Sequence, residues 1–141
     1  MLTTVEKVIL LQDIDLFEFI LTEGLSQIAL IADELEMTQG QIVFREGELP
    51  DAMYIVIDGK IVVTREKKEI MTIDEKNEFG TWGLFDDAPR GITATALSDC
   101  RLLRINKEEF IELLSDSPHL TESVLKRIVK RMKKLVDRFM T

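Results

Sequence analysis

Between Phe79 and Ala96 the sequence reads FGTWGLFDDAPRGITATA, with three glycines, one proline, one arginine and two adjacent aspartates. This stretch has the residue types for binding an anion. Gly80 and Gly83 bracket a turn that can enter a short helix over Thr81–Phe85. The first turn of a helix has N–H groups without intrahelical acceptors and a partial positive charge, so it favours an anion. Glycine lets a ligand approach the backbone. Pro89 fixes the chain just before Arg90. Arg90 offers a permanent charge and a fork of donors suited to phosphate oxygens. Gly91 adds an N–H with no side chain in the way. The alternation Ile92-Thr93-Ala94-Thr95-Ala96 reads as a strand that anchors the arginine. The competing local reading is a surface arginine paired with Asp86 or Asp87.

Other residue types offer little chemistry. His119 is the single histidine and Cys100 the single cysteine. A structural zinc site is therefore not expected, and no Ser-His-Asp set can be assembled beyond that histidine. His119, beside Pro118 at a helix start, reads as solvated, and Cys100 as a small buried residue. Asp86 and Asp87 are adjacent on a turn and do not converge on one substrate, so they read as solvated loop charge. We expect no catalytic residues, no metal and no cofactor. The formal charge of −8 is uneven: residues 1–119 carry 11 Lys/Arg against 24 Asp/Glu, residues 120–141 carry 7 against 2. An acidic body argues against broad nucleic-acid binding and makes an anionic ligand depend on a local cation. No apolar run approaches the roughly 20 residues of a membrane span, and no signal peptide is read, so a cytoplasmic protein is expected.

The elements that must position this stretch are short strands flanked by helices. Thr4–Gln12 reads as a helix, and a second helical pattern runs from about Leu25. Near Glu34 the apolar period changes from about 3.6 to 2. Gly40, Gly47 and Gly59 punctuate the strands that follow, and Asp58-Gly59 predicts a two-residue type I′ hairpin. Further strands are expected at Glu69–Ile73, Ile92–Leu97 and Arg101–Ile105. The pattern points to a closed or double-layered antiparallel β structure. Asn106 with Glu109 predicts a capped helix with Phe110, Ile111, Leu113 and Leu114 facing the core. Ser117-Pro118 starts a last helix. Its Leu125, Ile128, Met132, Leu135 and Phe139 form a heptad-like seam on a basic background. That helix has three readings: a solvated amphipathic face, the seam of a homodimer, or a basic face that touches nucleic acid or an acidic membrane surface.

In order, PDAMYIVIDGKIVV, FGTWGLFDDAPRGITATA and CRLLRINKEEFIELL resemble the cyclic nucleotide-binding domain family. The resemblance runs from about Leu16 to Met132 and includes Phe79-Gly80, Pro89-Arg90 and the ungapped spacing between them. It implies one domain: N-terminal helices over 1–33, an eight-stranded antiparallel jelly roll over 34–105, and two C-terminal helices over 106–141. It implies a non-catalytic regulatory domain that binds a cyclic nucleotide, cyclic AMP before cyclic GMP. Arg90 would hold the phosphate, Gly80, Trp82 and Gly91 would offer N–H groups, and Thr81 would sit by the ribose. The family's cassette usually places a glutamate at the position of Thr81, where it accepts from the ribose 2′-hydroxyl. The departure predicts weaker binding. It also leaves open a fold that has become an interaction or dimerisation module, or a sensor of another phosphate-bearing ligand. Trp82 reads first as packed on the core, second as reshaping the pocket. The family's base-capping residue lies on or near the last helix. Arg131 and Met132 stand there, with core or solvated roles the simpler reading. Regulators of this family carry a helix-turn-helix after the last helix. The sequence stops at Thr141, so DNA reading by that route is not expected, and the chain reads as a module of a larger protein or a free-standing sensor.

Overall fold

The computed structural model describes residues 1–140. Helix α1 (Thr4–Gln12) starts at Thr3, which exchanges reciprocal capping bonds with Glu6. A 3-10 turn at Asp15–Phe17 leads to α2 (Thr22–Ile31). The change of period read near Glu34 falls at Ala32, where the chain passes from α2 straight into β1 (Ala32–Met37). Seven strands follow: β2 (Ile42–Phe44), β3 (Ala52–Asp58), β4 (Ile61–Arg65), β5 (Lys68–Ile73), β6 (Glu78–Phe79), β7 (Thr93–Ala96) and β8 (Cys100–Asn106). They form two four-stranded sheets, β1-β8-β3-β6 and β2-β7-β4-β5, with all pairings antiparallel. This is the jelly roll expected, with helices at both chain ends.

Two cores explain the strand sequences. Phe44, Tyr54, Val56, Ile61, Val63, Phe79 and Leu102 fill the space between the sheets. Met53, Ile55, Leu103 and Ile105 point from the other face of the first sheet to Leu11, Phe17, Ile28, Phe110 and Leu120 of the helices. Strand β3 is therefore buried on both faces, which is why its sequence is a continuous apolar run rather than an alternation.

The hairpin predicted at Asp58-Gly59 does not form. β3 pairs with β8 and β6, and β4 pairs with β5 and β7, so the turn carries the chain from one sheet to the other. Gly59, at φ +90, is needed for a different reason: a Cβ there would lie 2.3 Å from the Cys100 Cβ. The turn with two left-handed central residues is instead Glu66-Lys67, between β4 and β5, at φ +51 and +67.

Helix α3 (Lys107–Asp116) is capped as predicted, with Asn106 Oδ1 accepting the Glu109 N–H at 3.1 Å. Phe110 is fully buried and Leu113 and Leu114 pack beside it, but Ile111 faces solvent. The last helix, α4, spans Pro118–Met140. Leu120 and Val124 bury its first turns, and Ile128 packs on the core. Leu125, Met132, Leu135 and Phe139 of the predicted seam are exposed. The predicted last boundary, Thr141, lies outside the described residues. No described helix is long and apolar enough to cross a membrane.

Candidate functional site

Strand β6 ends at Phe79, whose ring stacks on Tyr54 with centroids 5.3 Å apart. Gly80, at φ +71, then turns the chain into a 3-10 helix over Thr81–Leu84, one residue shorter than the helix expected. The glycines here serve a neighbour inside the protein. A Cβ on Gly80 would come within 3.0 Å of the Arg90 Nη1, and one on Gly83 within 2.6 Å of it and 2.9 Å of Pro50. A side chain at Gly83 would collide with the arginine, and one at Gly80 would crowd it. The sequence shows the glycines, and the fold shows that the guanidinium is what approaches them.

Arg90 is 8% exposed. Its backbone is held on both sides, donating to Glu48 O at 2.7 Å and accepting from Gly47 N–H at 2.8 Å. The guanidinium reaches inward, donating from Nη1 to Gly80 O at 3.0 Å and from Nη2 to Ala52 O at 2.6 Å. It lies 4.0 Å above the Phe44 ring. The buried Nε has no hydrogen-bond partner. Arg90 forms no ion pair among the described residues. Burial pulls its pKa down, and Tyr54, Asp51 and Glu48 counter this only through space. The competing reading of a surface pair with an aspartate is overturned: Asp87 bonds Lys107 at 2.7 Å, and Asp86 Oδ1 accepts the Ala88 N–H at 3.0 Å.

Arg90 lines a cavity of about 480 Å³ that opens between the cassette and the second sheet. That volume suits a small organic ligand. Gly80, Thr81, Trp82 and Gly91 line it together with Arg90, so the five predicted site residues converge on one space. Val63, Ile70, Met71, Ile73 and Ile92 give it an apolar wall. Trp82 is not packed on the core: it is 82% exposed and borders the cavity from the solvent side.

Helix α4 reaches the cavity through one residue. Arg131 lines the cavity and donates to Glu78 Oε1 at 2.6 Å and Asp15 Oδ2 at 2.7 Å. Glu78 shares that lining; its other oxygen is buried without a partner, and burial outweighs Arg131 in raising its pKa. Met132 is exposed and outside the cavity. Sequence reading missed Glu78, Arg65 and Pro50. None has a local motif, and each reaches the cavity through strand pairing or loop packing. The alternation Glu78-Phe79, with the ring in the core, was the one available signal for Glu78.

A two-sheet β roll whose cassette delivers a buried arginine without a counter-ion to a half-open cavity has the architecture of a ligand-binding domain. Comparison with known sequences makes this specific. The sequence model of the cyclic nucleotide-binding domain matches residues 34–117, and the chain belongs to that family. Among curated proteins it is similar to a CRP-like cAMP-activated global transcriptional regulator of Mycobacterium tuberculosis, 28% identical over 117 residues, covering 77% of this chain and 52% of the relative. The chain thus spans about half the length of that relative. Among solved structures it resembles the N-terminal domain of a transcriptional regulator from Streptomyces coelicolor A3(2), with a TM-score of 0.84 at 25% identity over 91% of this chain and 95% of that one. It also resembles the sensor domain of the transcriptional regulator DNR from Pseudomonas aeruginosa, with a TM-score of 0.78 at 26% identity over 95% and 93%.

Proposed function

We propose that this chain is a non-catalytic regulatory domain that binds a cyclic nucleotide, cyclic AMP before cyclic GMP, with the phosphate on Arg90. The observation that carries this reading is the state of Arg90. A buried cation without a counter-ion costs several kcal/mol, and an anion in the adjoining cavity removes that cost. Two of its five N–H donors are used by carbonyls, which leaves the remainder for phosphate oxygens. The Mycobacterium relative is described as cAMP-activated, which favours the same ligand class.

In this mechanism Gly80, Trp82 and Gly91 supply backbone N–H groups, and Thr81 faces the sugar. Thr81 is shorter and uncharged where the family usually has glutamate, and a lost charge-assisted hydrogen bond is worth roughly 1.5–3 kcal/mol. Binding is weaker by about ten- to a hundredfold. Arg131 joins α4 to the strand just before the cassette through Glu78, so a ligand that moves the cassette repopulates the packing of α4. The test is calorimetric titration with cyclic AMP and cyclic GMP, with Arg90→Ala as control. Saturable cyclic AMP binding that Arg90→Ala abolishes is expected; no heat at millimolar ligand removes the reading.

A second reading has its own observation. Met132, Leu135, Val136 and Phe139 are exposed on the last turns of α4. In that reading the fold acts as an interaction module, and α4 joins a second copy. Thr81→Glu separates the two: tight binding restored means an otherwise intact pocket, no gain favours the module.

A further inference from the structure

Strands β4 and β5 are joined by Glu66 and Lys67, which both sit at positive φ, +51 and +67. Neither is glycine or asparagine, and left-handed backbone is costly for such residues. The turn is held from outside by Glu46, in the loop after β2. Its carboxylate oxygens accept the Glu66 N–H at 3.2 and 3.3 Å, and one of them accepts the Thr93 hydroxyl at 3.3 Å. The Glu46 N–H donates back to the Thr93 oxygen at 3.0 Å. This clamp fixes the strand end that carries Arg65.

Arg65 Nε donates to the carbonyl of Gly91 at 3.0 Å, and its Nη2 lies 3.5 Å from where a Cβ on Gly91 would stand. Gly91 directly follows Arg90. Both arginines line the cavity. Its other charged lining residues are already engaged: Arg131 pairs with Glu78, and Asp86 accepts the Ala88 N–H. Arg65, like Arg90, forms no ion pair among the described residues, in a chain with 26 acidic and 18 basic side chains. An arginine left unpaired in such a chain, and tied by a clamped turn to the backbone beside Arg90, is placed for an anion that arrives from outside.

We infer that Arg65 is a second phosphate-binding residue of this cavity, which adds its charge to that of Arg90 across Gly91. The inference rests on the reading that the cavity takes a phosphate-bearing ligand. Its test uses the whole chain, with cyclic AMP and adenosine 5′-monophosphate as probes, at several salt concentrations. Arg65 is on the surface, so Arg65→Gln is expected to melt as the wild type does. Arg65→Gln is expected to weaken the probe that binds by about three- to tenfold and to flatten the salt dependence, because one screened charge is gone. Arg65→Lys is expected to keep most of that salt dependence. If the wild type binds cyclic AMP and Arg65→Gln binds it equally, with the same salt dependence, the Arg65 assignment is wrong and the cyclic nucleotide reading stands. If only the 5′-monophosphate binds, and Arg65→Gln weakens it, the cyclic nucleotide reading falls and the assignment stands. If neither probe binds the wild type, both fall.

Discussion

Arg90 and Arg127 are the buried charged residues of the described chain, at 8% and 4% exposure, and their surroundings differ in kind. Arg127, on α4, bonds the carbonyl and the carboxylate of Asp15 and pairs with Glu18 at 2.9 Å. Lys130 and Arg131 extend the same acidic contacts, so α4 is tied to the 3-10 turn by charge already neutralised in place. Arg90 has two carbonyls and an aromatic ring, and no carboxylate. A buried ion pair is a structural fixture, costly to break from one side. A buried cation held by neutral dipoles is, in the function we propose, a phosphate site whose counter-ion is the ligand. The two arginines contrast the contact that holds α4 with the residue to which we assign the ligand phosphate.

Substitutions can break or sharpen this contrast. The largest effect is expected from Arg90→Ala. Cyclic AMP affinity should fall by a hundredfold or more, on the order of 3 kcal/mol for a lost set of charge-assisted bonds, while thermal stability changes little. Should Arg90→Ala prove as destabilising as Arg127→Ala in a melt, both residues are structural and the contrast is gone. Arg127→Ala is expected to lower stability by about 2–3 kcal/mol in denaturant titration, below the figure for a fully buried pair because Asp15 and Glu18 are partly solvated. Thr81→Glu should tighten cyclic AMP binding by about tenfold in calorimetry, if the site end lacks only that carboxylate.

Smaller effects test the supports. Replacing Glu66-Lys67 by Asn-Gly should raise stability by roughly 1 kcal/mol, since glycine pays no penalty in left-handed backbone; a lower melting temperature would mean the turn is not strained. The neutralised end should also show in the acid limb. Burial pushes the Asp15 carboxyl up, but the hydrogen bonds from Arg127 and Arg131 outweigh it and hold the pKa below the ordinary value. Its contribution is therefore complete above about pH 4 and drains away as pH falls through the depressed folded value. The stability gap between wild type and Asp15→Asn should widen as pH rises to about 4 and stay level above it, changing by less than about 1 kcal/mol for a half-exposed group. Equal acid profiles would remove Asp15 from the account.

The legible parts of the fold were those set by local chemistry. Asn106 and Pro118 mark helix starts because capping needs only a few neighbouring residues. The cassette was legible because Phe79-Gly80 and Pro89-Arg90 sit in one continuous stretch. The failures are non-local. Asp58-Gly59 has the chemistry of a hairpin turn, yet β3 found better partners in β8 and β6, and the glycine was fixed by contact with Cys100. The strained turn at Glu66-Lys67 has no glycine to announce it, and its support comes from Glu46, twenty residues away in sequence. Ile111 sits on a helix face whose direction was decided by Phe110. Trp82 is large and apolar, which predicts burial, but a 3-10 turn ending in buried Gly83 and Leu84 leaves it outside.

The sequence by itself determined the elements, their caps and the composition of the cassette, because propensity, turn chemistry and apolar period act over a few residues. It also determined that one arginine would stand behind a proline near glycines. Only the tertiary structure decided that this arginine turns inward without a counter-ion, that Arg131 and Glu78 pair in the lining of its cavity, and that Arg65 reaches the residue beside it. Those outcomes depend on charges brought together from strands and helices distant in the chain, and the cost of burying or pairing a charge exists only once the surrounding protein has excluded water.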